Sequence, residues 1–327
     1  MFRSWWCAAL CVALMPSGAF AQTTWKPERN IEILIGSTAG TGPDRVARII
    51  ERLWREQKLV EAPAAVVTKP GGGGAVLWSY MAQRPGDAHH LMITSYNIVV
   101  NHILGKTQYT HTDFTPIALL ISEYIGFSVR ADAPFKTLPE LVNAIRADPG
   151  AHPIAVSSND GGANHIAIAL LLKAAGVDVR KLRVVVYSGY NQAMTAVLGG
   201  HATVVPGSAG AMAPFLQNNQ SRVLGIASPQ RLPGVFANVP TATEAGYKVV
   251  ADNWRLVMAP KGLDVAEIAY WDRVFGRLAK SPEWQKELAA AYLSNDYLDS
   301  GATRRYLAEQ YGEVRAALVE LGLAKDR

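Results

Sequence analysis

Cysteine is nearly absent from this chain of 327 residues: Cys7 and Cys11 are the only two, and both fall within the first 21 positions. The rest has neither a disulfide framework nor a thiolate metal site, so its core must hold it together alone. Charge is sparse too, at 18% of residues against 49% hydrophobic, which excludes a disordered or fibrous chain and allows a core large enough for two lobes. After the N-terminal segment, no uninterrupted apolar run of about 18 residues is available to span a membrane. Signatures of several enzyme classes are missing. No glycine-rich loop ends in Gly-Lys-Ser/Thr, and no Gly-x-Ser-x-Gly elbow occurs, since Ser208 has Gly207 directly before it. Gly40 and Gly42 begin a dinucleotide fingerprint, but Arg45 stands where the third glycine belongs. His89 and His90 are adjacent, so on a strand they point to opposite faces, and no cysteine or carboxylate cluster joins them as a metal site requires.

The first 21 residues read as a secretory signal: Arg3, an apolar stretch over 5–15, then Pro16, Ser17, Gly18 and the small-residue pattern Ala19-Phe20-Ala21 before Gln22. Its removal takes away both cysteines and one positive charge, leaving 31 basic against 27 acidic residues, a net charge of +4. Trp6 and Leu10 precede the cysteines where lipid attachment requires small residues, so the expectation is a soluble periplasmic protein. The mild basic excess is spread along the chain and points to anionic ligands, not nucleic acid.

Glycine-rich loops are what the chain does have. Residues 36–44, G-S-T-A-G-T-G-P-D, follow the apolar run Ile31, Ile33, Leu34, Ile35 and precede Val46, Ile49, Ile50 and Leu53, spaced for one helical face. Pro43 marks the helix start, where its missing amide hydrogen costs nothing. The loop therefore delivers small side chains to a helix N-terminus, whose partial positive charge attracts anions by roughly 0.3–1 kcal/mol when exposed. The pattern recurs. A strand at 154–156, the loop S-S-N-D-G-G-A-N at 157–164 and a helix over 166–175 closed by Gly176 form a second instance. A strand at 184–187, the loop 188–191 and a helix over 193–198 form a third. Between them lie a helix at 75–82 after Gly71 to Gly74, a strand at 91–95, and a long apolar segment over 113–129 that suits a crossing between lobes. T-x-x-E at 137–140 predicts a capping box. Strands follow at 202–205, broken by Pro206-Gly207, and at 223–227; 249–258 reads as a return crossing interrupted at Asp252, and helices occupy 264–280, 282–292 and 303–321, the last with Leu307, Tyr311, Val314 and Leu318 inward. The alternation predicts an α/β protein with parallel sheets covered on both faces and ligands at the carboxyl ends of the strands.

Individual residues carry alternatives. Gly71 to Gly74 either let backbone approach a ligand or connect packed elements. Asp44 either holds its loop and offsets the helix dipole or meets a ligand amine or hydroxyl, with Arg48 supporting the loop or pairing with a neighbour. His165 donates to a bound carboxylate or bonds locally; Tyr187 and Trp254 are core or walls against a ligand. A secreted hydrolase or transferase would use Ser157, Ser158 or Ser188 with His165, although no third group to orient that base stands out.

Six stretches in order, A-G-T-G-P-D-R-V-A-R, K-P-G-G-G-G, D-F-T-P-I-A, S-S-N-D-G-G-A-N-H, Y-S-G and V-P-T-A-T-E-A-G, resemble the Bug-type extracytoplasmic solute-binding receptors of tripartite tricarboxylate transporters. The resemblance implies a two-lobe periplasmic binding protein of the Venus-flytrap type, with two crossing strands and no cofactor, metal or catalysis. Lobe 1 would comprise residues 22–122 with 253–327, and lobe 2 residues 123–252. It implies a monomer that holds a small organic acid, a di- or tricarboxylate or an aromatic acid, for membrane permease subunits; a solute sensor of a signalling system is the alternative. The ligand carboxylate would be gripped by Thr38, Ala39, Gly40 and Thr41 in one lobe and by Ser158, Asn159, Gly162, Ala163, Asn164 and His165 in the other, with Tyr187 and Ser188 beside the cleft. Ala39 stands where the family usually has glycine, Thr68 where it has asparagine, and 87–91 departs from its D-G-Y-T-L.

Overall fold

The computed structural model describes residues 25–157 and 161–325. The signal segment with its cysteines, and Ser158 and Asn159, lie outside the described residues.

Strand β1 (Ile31–Ile35) is buried along most of its length and runs into α1 (Gly42–Glu56). Next come β2 (Ala64–Thr68), α2 (Ala75–Ala82), β3 (His90–Ser95), α3 (Asn97–Ile103) and β4 (Phe114–Ile121), every residue of β4 being buried. The chain passes through 122–124 into β5 (Ile125–Arg130), then α4 (Leu138–Ala147), β6 (Ile154–Ser157), α5 (Ala163–Ala174), β7 (Val184–Tyr187), α6 (Tyr190–Leu198), β8 (Val205–Ser208), α7 (Ala209–Gln217) and β9 (Ser221–Ile226). It returns through 251–254 to β10 (Arg255–Pro260) and ends in α8 (Val265–Lys280), α9 (Pro282–Ala290) and α10 (Ser300–Glu320).

One sheet has the order β2-β1-β3-β10-β4; a second has β8-β5-β9, and β6 pairs with β7. The all-parallel expectation fails for a topological reason. β1, β2 and β3 are parallel, but β10 arrives from the opposite direction and lies antiparallel to both β3 and β4. The second sheet is antiparallel throughout, while β6 and β7 pair in parallel and a parallel bridge joins Ile154 of β6 to Val204, just ahead of β8. Both faces of the first sheet are packed. Trp54 of α1 stacks on Trp271 of α8 with ring centroids 5.4 Å apart, beside Phe275 and Trp284, on one side; Trp78, Trp254, Leu307 and Leu318 fill the other. Trp254 is therefore core. Tyr311 is half-buried, its ring against His102 and His111.

The two passages between sheets are joined to each other: Asn253 N donates to Glu123 O at 3.0 Å and Ile125 N to Ala251 O at 3.0 Å. The return passage is irregular up to Trp254, and the regular strand begins only at Arg255. Smaller differences follow from tertiary context. β8 runs through Pro206-Gly207 instead of stopping there, because Pro206 sits where its absent amide leaves the pairing with Phe127 intact. α6 starts at Tyr190, ahead of its apolar stripe, and α3 and α7 escape the periodicity reading altogether. The Thr137 hydroxyl accepts from the Glu140 amide as expected, but the Glu140 carboxylate takes the Lys136 amide, at 2.6 Å, instead of that of Thr137.

Candidate functional site

Loop 36–41 closes on itself. Gly40 takes a left-handed φ of +81°, and its amide donates to Asp44 Oδ2 at 2.8 Å. Arg48 Nε reaches the same oxygen at 3.0 Å. The Arg48 hydrogen bond, with that of the Gly40 amide, holds the Asp44 carboxyl below its ordinary range. The Thr41 hydroxyl donates to Thr38 O at 2.8 Å and lies 2.7 Å from Ser37 Oγ. Thr38, Ala39 and Gly40 are exposed and Thr41 is half-buried. Asp44 and Arg48 thus support the loop. Gly71 to Gly74 all have positive φ, and a side chain at Gly74 would stand 2.6 Å from the Trp78 ring. That turn packs against the first loop, a side-chain carbon at Gly36 falling 3.2 Å from Gly74 Cα.

The second loop is anchored differently. Asn164 Nδ2 donates to Ser157 Oγ at 2.6 Å, and the Gly161 amide donates to His165 Nδ1 at 3.1 Å. His165 is buried, and Nδ1 accepting from that amide places a ring proton on Nε2. A side chain at Gly161 would meet Leu318 at 2.9 Å and Leu104 at 3.4 Å, so this loop rests on α10 and on the end of α3. Gly162 is the cap residue of α5, and Ala163 and Asn164 are half-buried in its first turn. Tyr187 ends β7, half-buried, while Ser188 is exposed and donates to Gln192 at 2.7 Å. Among the described residues no hydrogen bond joins 38–41 to 162–164. His89 and His90 do not point apart: both approach Asp87, at 3.3 and 2.9 Å, because His89 lies in the turn before β3.

Helix openings divide into two classes. α1, α2, α3, α5, α6 and α7 each follow the carboxyl end of a strand, α2 by way of a turn at 72–74, and in none does the cap residue's own side chain bond the first turn. α4, α8, α9 and α10 open with Thr137, Asp264, Ser281 and Asp299, each of which does. β10 is antiparallel to β3, so α8, the capped helix that follows it, opens at the opposite edge of the sheet from α1 and α3. Uncapped amides therefore gather where ligands bind in α/β sheets.

Two features had no clear sequence signal. A cavity of about 940 Å³ lies between α5, α10 and the crossings, lined by Tyr96, Ser122, Tyr124, Asp252, Asp296 and Tyr306. Of the expected ligand residues among those described it includes only Ala163. Ser122 donates to Asp252 there, and Tyr124 to Asp296 at 2.8 Å. Burial, with help from Asp296, pushes the Asp252 carboxyl up to about 6. The other feature is the pair Arg255 and Glu123, beside the opening of α1. A cation directly after Trp254, at the mouth of an apolar strand, was the available clue.

The family model for the tripartite tricarboxylate transporter family receptor matches residues 46–323. The "UPF0065 protein in gbd 5'region" of Cupriavidus necator is 28% identical over 319 residues, covering 97% of this chain and 94% of that one. A ligand-free TctC solute-binding protein from Polaromonas superposes with a TM-score of 0.78 at 24% identity, covering 90% of this chain and 99% of the other. An adipate-bound R. palustris protein does so with a TM-score of 0.76 at 21% identity, covering 91% and 99%.

Proposed function

The chain belongs to the tripartite tricarboxylate transporter receptor family and is a solute-binding receptor, not an enzyme; from this premise we propose that it captures a small organic carboxylate in the periplasm and delivers it to tripartite transporter permease subunits. Residues 22–122 with 253–327 form one lobe of this reading and 123–252 the other, hinged at the paired crossings. The ligand lies between them, held by 38–41, by the loop that ends at His165, and by Tyr187 and Ser188.

The observation that carries the proposal is the division of helix openings. Helices that open at the ligand-binding edge leave their first amides without a side-chain cap, while those elsewhere are capped. An amide-lined edge suits a carboxylate that must be released again: each helix end contributes only about 1 kcal/mol, and desolvated hydrogen bonds add the rest. The adipate-bound relative supports the same ligand class. Among the described residues no helix is long and apolar enough to cross a membrane, in keeping with a receptor that hands its ligand to separate membrane subunits.

The test is a thermal-shift panel of organic acids on mature protein stripped of co-purified ligand. A binder specific to the folded state at one hundred times its dissociation constant adds about 2.7 kcal/mol and a clear rise in Tm. Gly40→Val, which forces a β-branched residue into the left-handed region, is expected to remove that rise while leaving the far-UV circular dichroism unchanged. A panel without any shift sinks the carboxylate reading.

A further inference from the structure

The first turn of α1 faces an ion pair built from the two crossings. A side-chain carbon at Gly42 would stand 3.7 Å from Glu123 Oε1 and 3.8 Å from Arg255 Nη2. Arg255 opens β10 opposite Ser95, at the carboxyl end of β3, so it sits at the edge where the uncapped helices begin. Its residue exposure is only 7%, yet among the described residues its hydrogen bonds come from one nitrogen: Nη2 reaches both Glu123 oxygens, at 3.2 Å each. Nε is buried with no acceptor. A guanidinium carries five N–H donors in a planar fork, and stripping them of water without replacement is costly, so a buried arginine is normally well supplied with acceptors. The pairing with Glu123 is also a weak form of the contact, one nitrogen shared by two oxygens instead of two parallel bonds. Glu123 is itself fixed, its carbonyl accepting from the Asn253 amide at 3.0 Å and its carboxylate from Asn253 Nδ2 at 3.4 Å. Arg255 is thus held in place with most of its donors unspent, beside an uncapped helix opening of partial positive charge.

We propose that Arg255 and the opening turn of α1 form a second carboxylate subsite, which makes the receptor selective for dicarboxylates over monocarboxylates of the same length. The inference rests on the reading that the cleft takes a carboxylate: the amide-lined loops hold one end of the ligand and the guanidinium, with its planar fork of donors, holds the other. Glu123 acts as a positioning residue that keeps the fork aimed at α1.

Calorimetric titration of the stripped protein with succinate, glutarate and adipate, and with butyrate, pentanoate and hexanoate, tests it. The wild type is expected to bind at least one diacid ten-fold or more tightly than the monoacid of equal length. Arg255→Gln is expected to lose at least ten-fold for that diacid with the monoacid unchanged, and Arg255→Lys, which keeps the charge without the fork, to recover part of the loss. Because Arg255→Gln leaves the Glu123 carboxylate without its cation, the double variant Glu123→Gln with Arg255→Gln is measured beside it, removing both charges together. If the wild type binds a diacid and the double variant binds it equally well, the subsite is overturned while the carboxylate reading stands. If the wild type binds no acid at all, the carboxylate reading falls and takes the subsite with it.

Discussion

Asp44 turns its carboxylate back onto the loop that precedes it, so a group that would repel an anion at the helix opening serves to shape the loop instead. That role was legible from its first-turn position, because a carboxylate there favours the helix whatever else it does. Asp87 is a second case of a carboxylate spent on architecture. Burial alone would raise it, but the Arg29 guanidinium, the His89 amide and His90 outweigh that and bring it down to about 2. A carboxyl depressed in the folded state adds stability that is complete above its ordinary value near 3.8 and disappears as the pH falls to about 2. Asp87→Asn is therefore expected to lower stability at neutral pH by about 1–2 kcal/mol, after allowing for screening at exposed Arg29. The deficit should shrink as melting is followed from about pH 4 down to pH 2; a pH-independent deficit would assign the loss to packing. Neither His89 nor His90 announced this cluster, since the strand alternation that separates neighbours does not apply in the turn before β3.

Among the elements, β8 and α6 are fitted to each other through a single missing side chain. A carbon added at Gly207 would fall 2.2 Å from the Tyr190 ring, whose hydroxyl bonds Ser128 at 3.2 Å. Gly207→Ala must push the ring aside, and a loss of about 1–3 kcal/mol in denaturant melts is expected, with the urea midpoint falling at an unchanged m-value. An unaltered midpoint would mean that the ring moves freely. In sequence the same Pro206-Gly207 reads as a strand breaker; its tolerance depends on the neighbours β8 acquires after folding. Short amphipathic helices such as α3, only seven residues long, carry too few turns for periodicity to register. Long elements with capping residues are more legible: α8 is read to within a residue, while α10 begins three residues ahead of its reading, behind the cap Asp299.

For the molecule as a whole, the crossings concentrate charge that has no local explanation. Asp252 on the return passage accepts from Ser122 on the outgoing one, and burial pushes its carboxyl up to about 6 from an ordinary 3.8. The native state then holds this proton more tightly than the unfolded chain, so the stability contribution is complete at low pH and falls as pH rises from about 4 to about 6. Asp252→Asn keeps an acceptor for Ser122 without the charge. Its Tm is expected to match the wild type near pH 4 and to exceed it increasingly up to about pH 6, levelling off above; a constant difference across that range would refute the assignment. Sequence by itself determined the α/β class, the strand-loop-helix units, most element bounds and the family likeness, because apolar periodicity, glycine and capping residues act within a few positions of one another. Only the tertiary structure decided the direction of β10, which end of each sheet the uncapped helices open on, and the meeting of Glu123, Arg255 and Gly42. Those depend on residues more than a hundred positions apart reaching one place, and no local rule of pairing or periodicity carries that information.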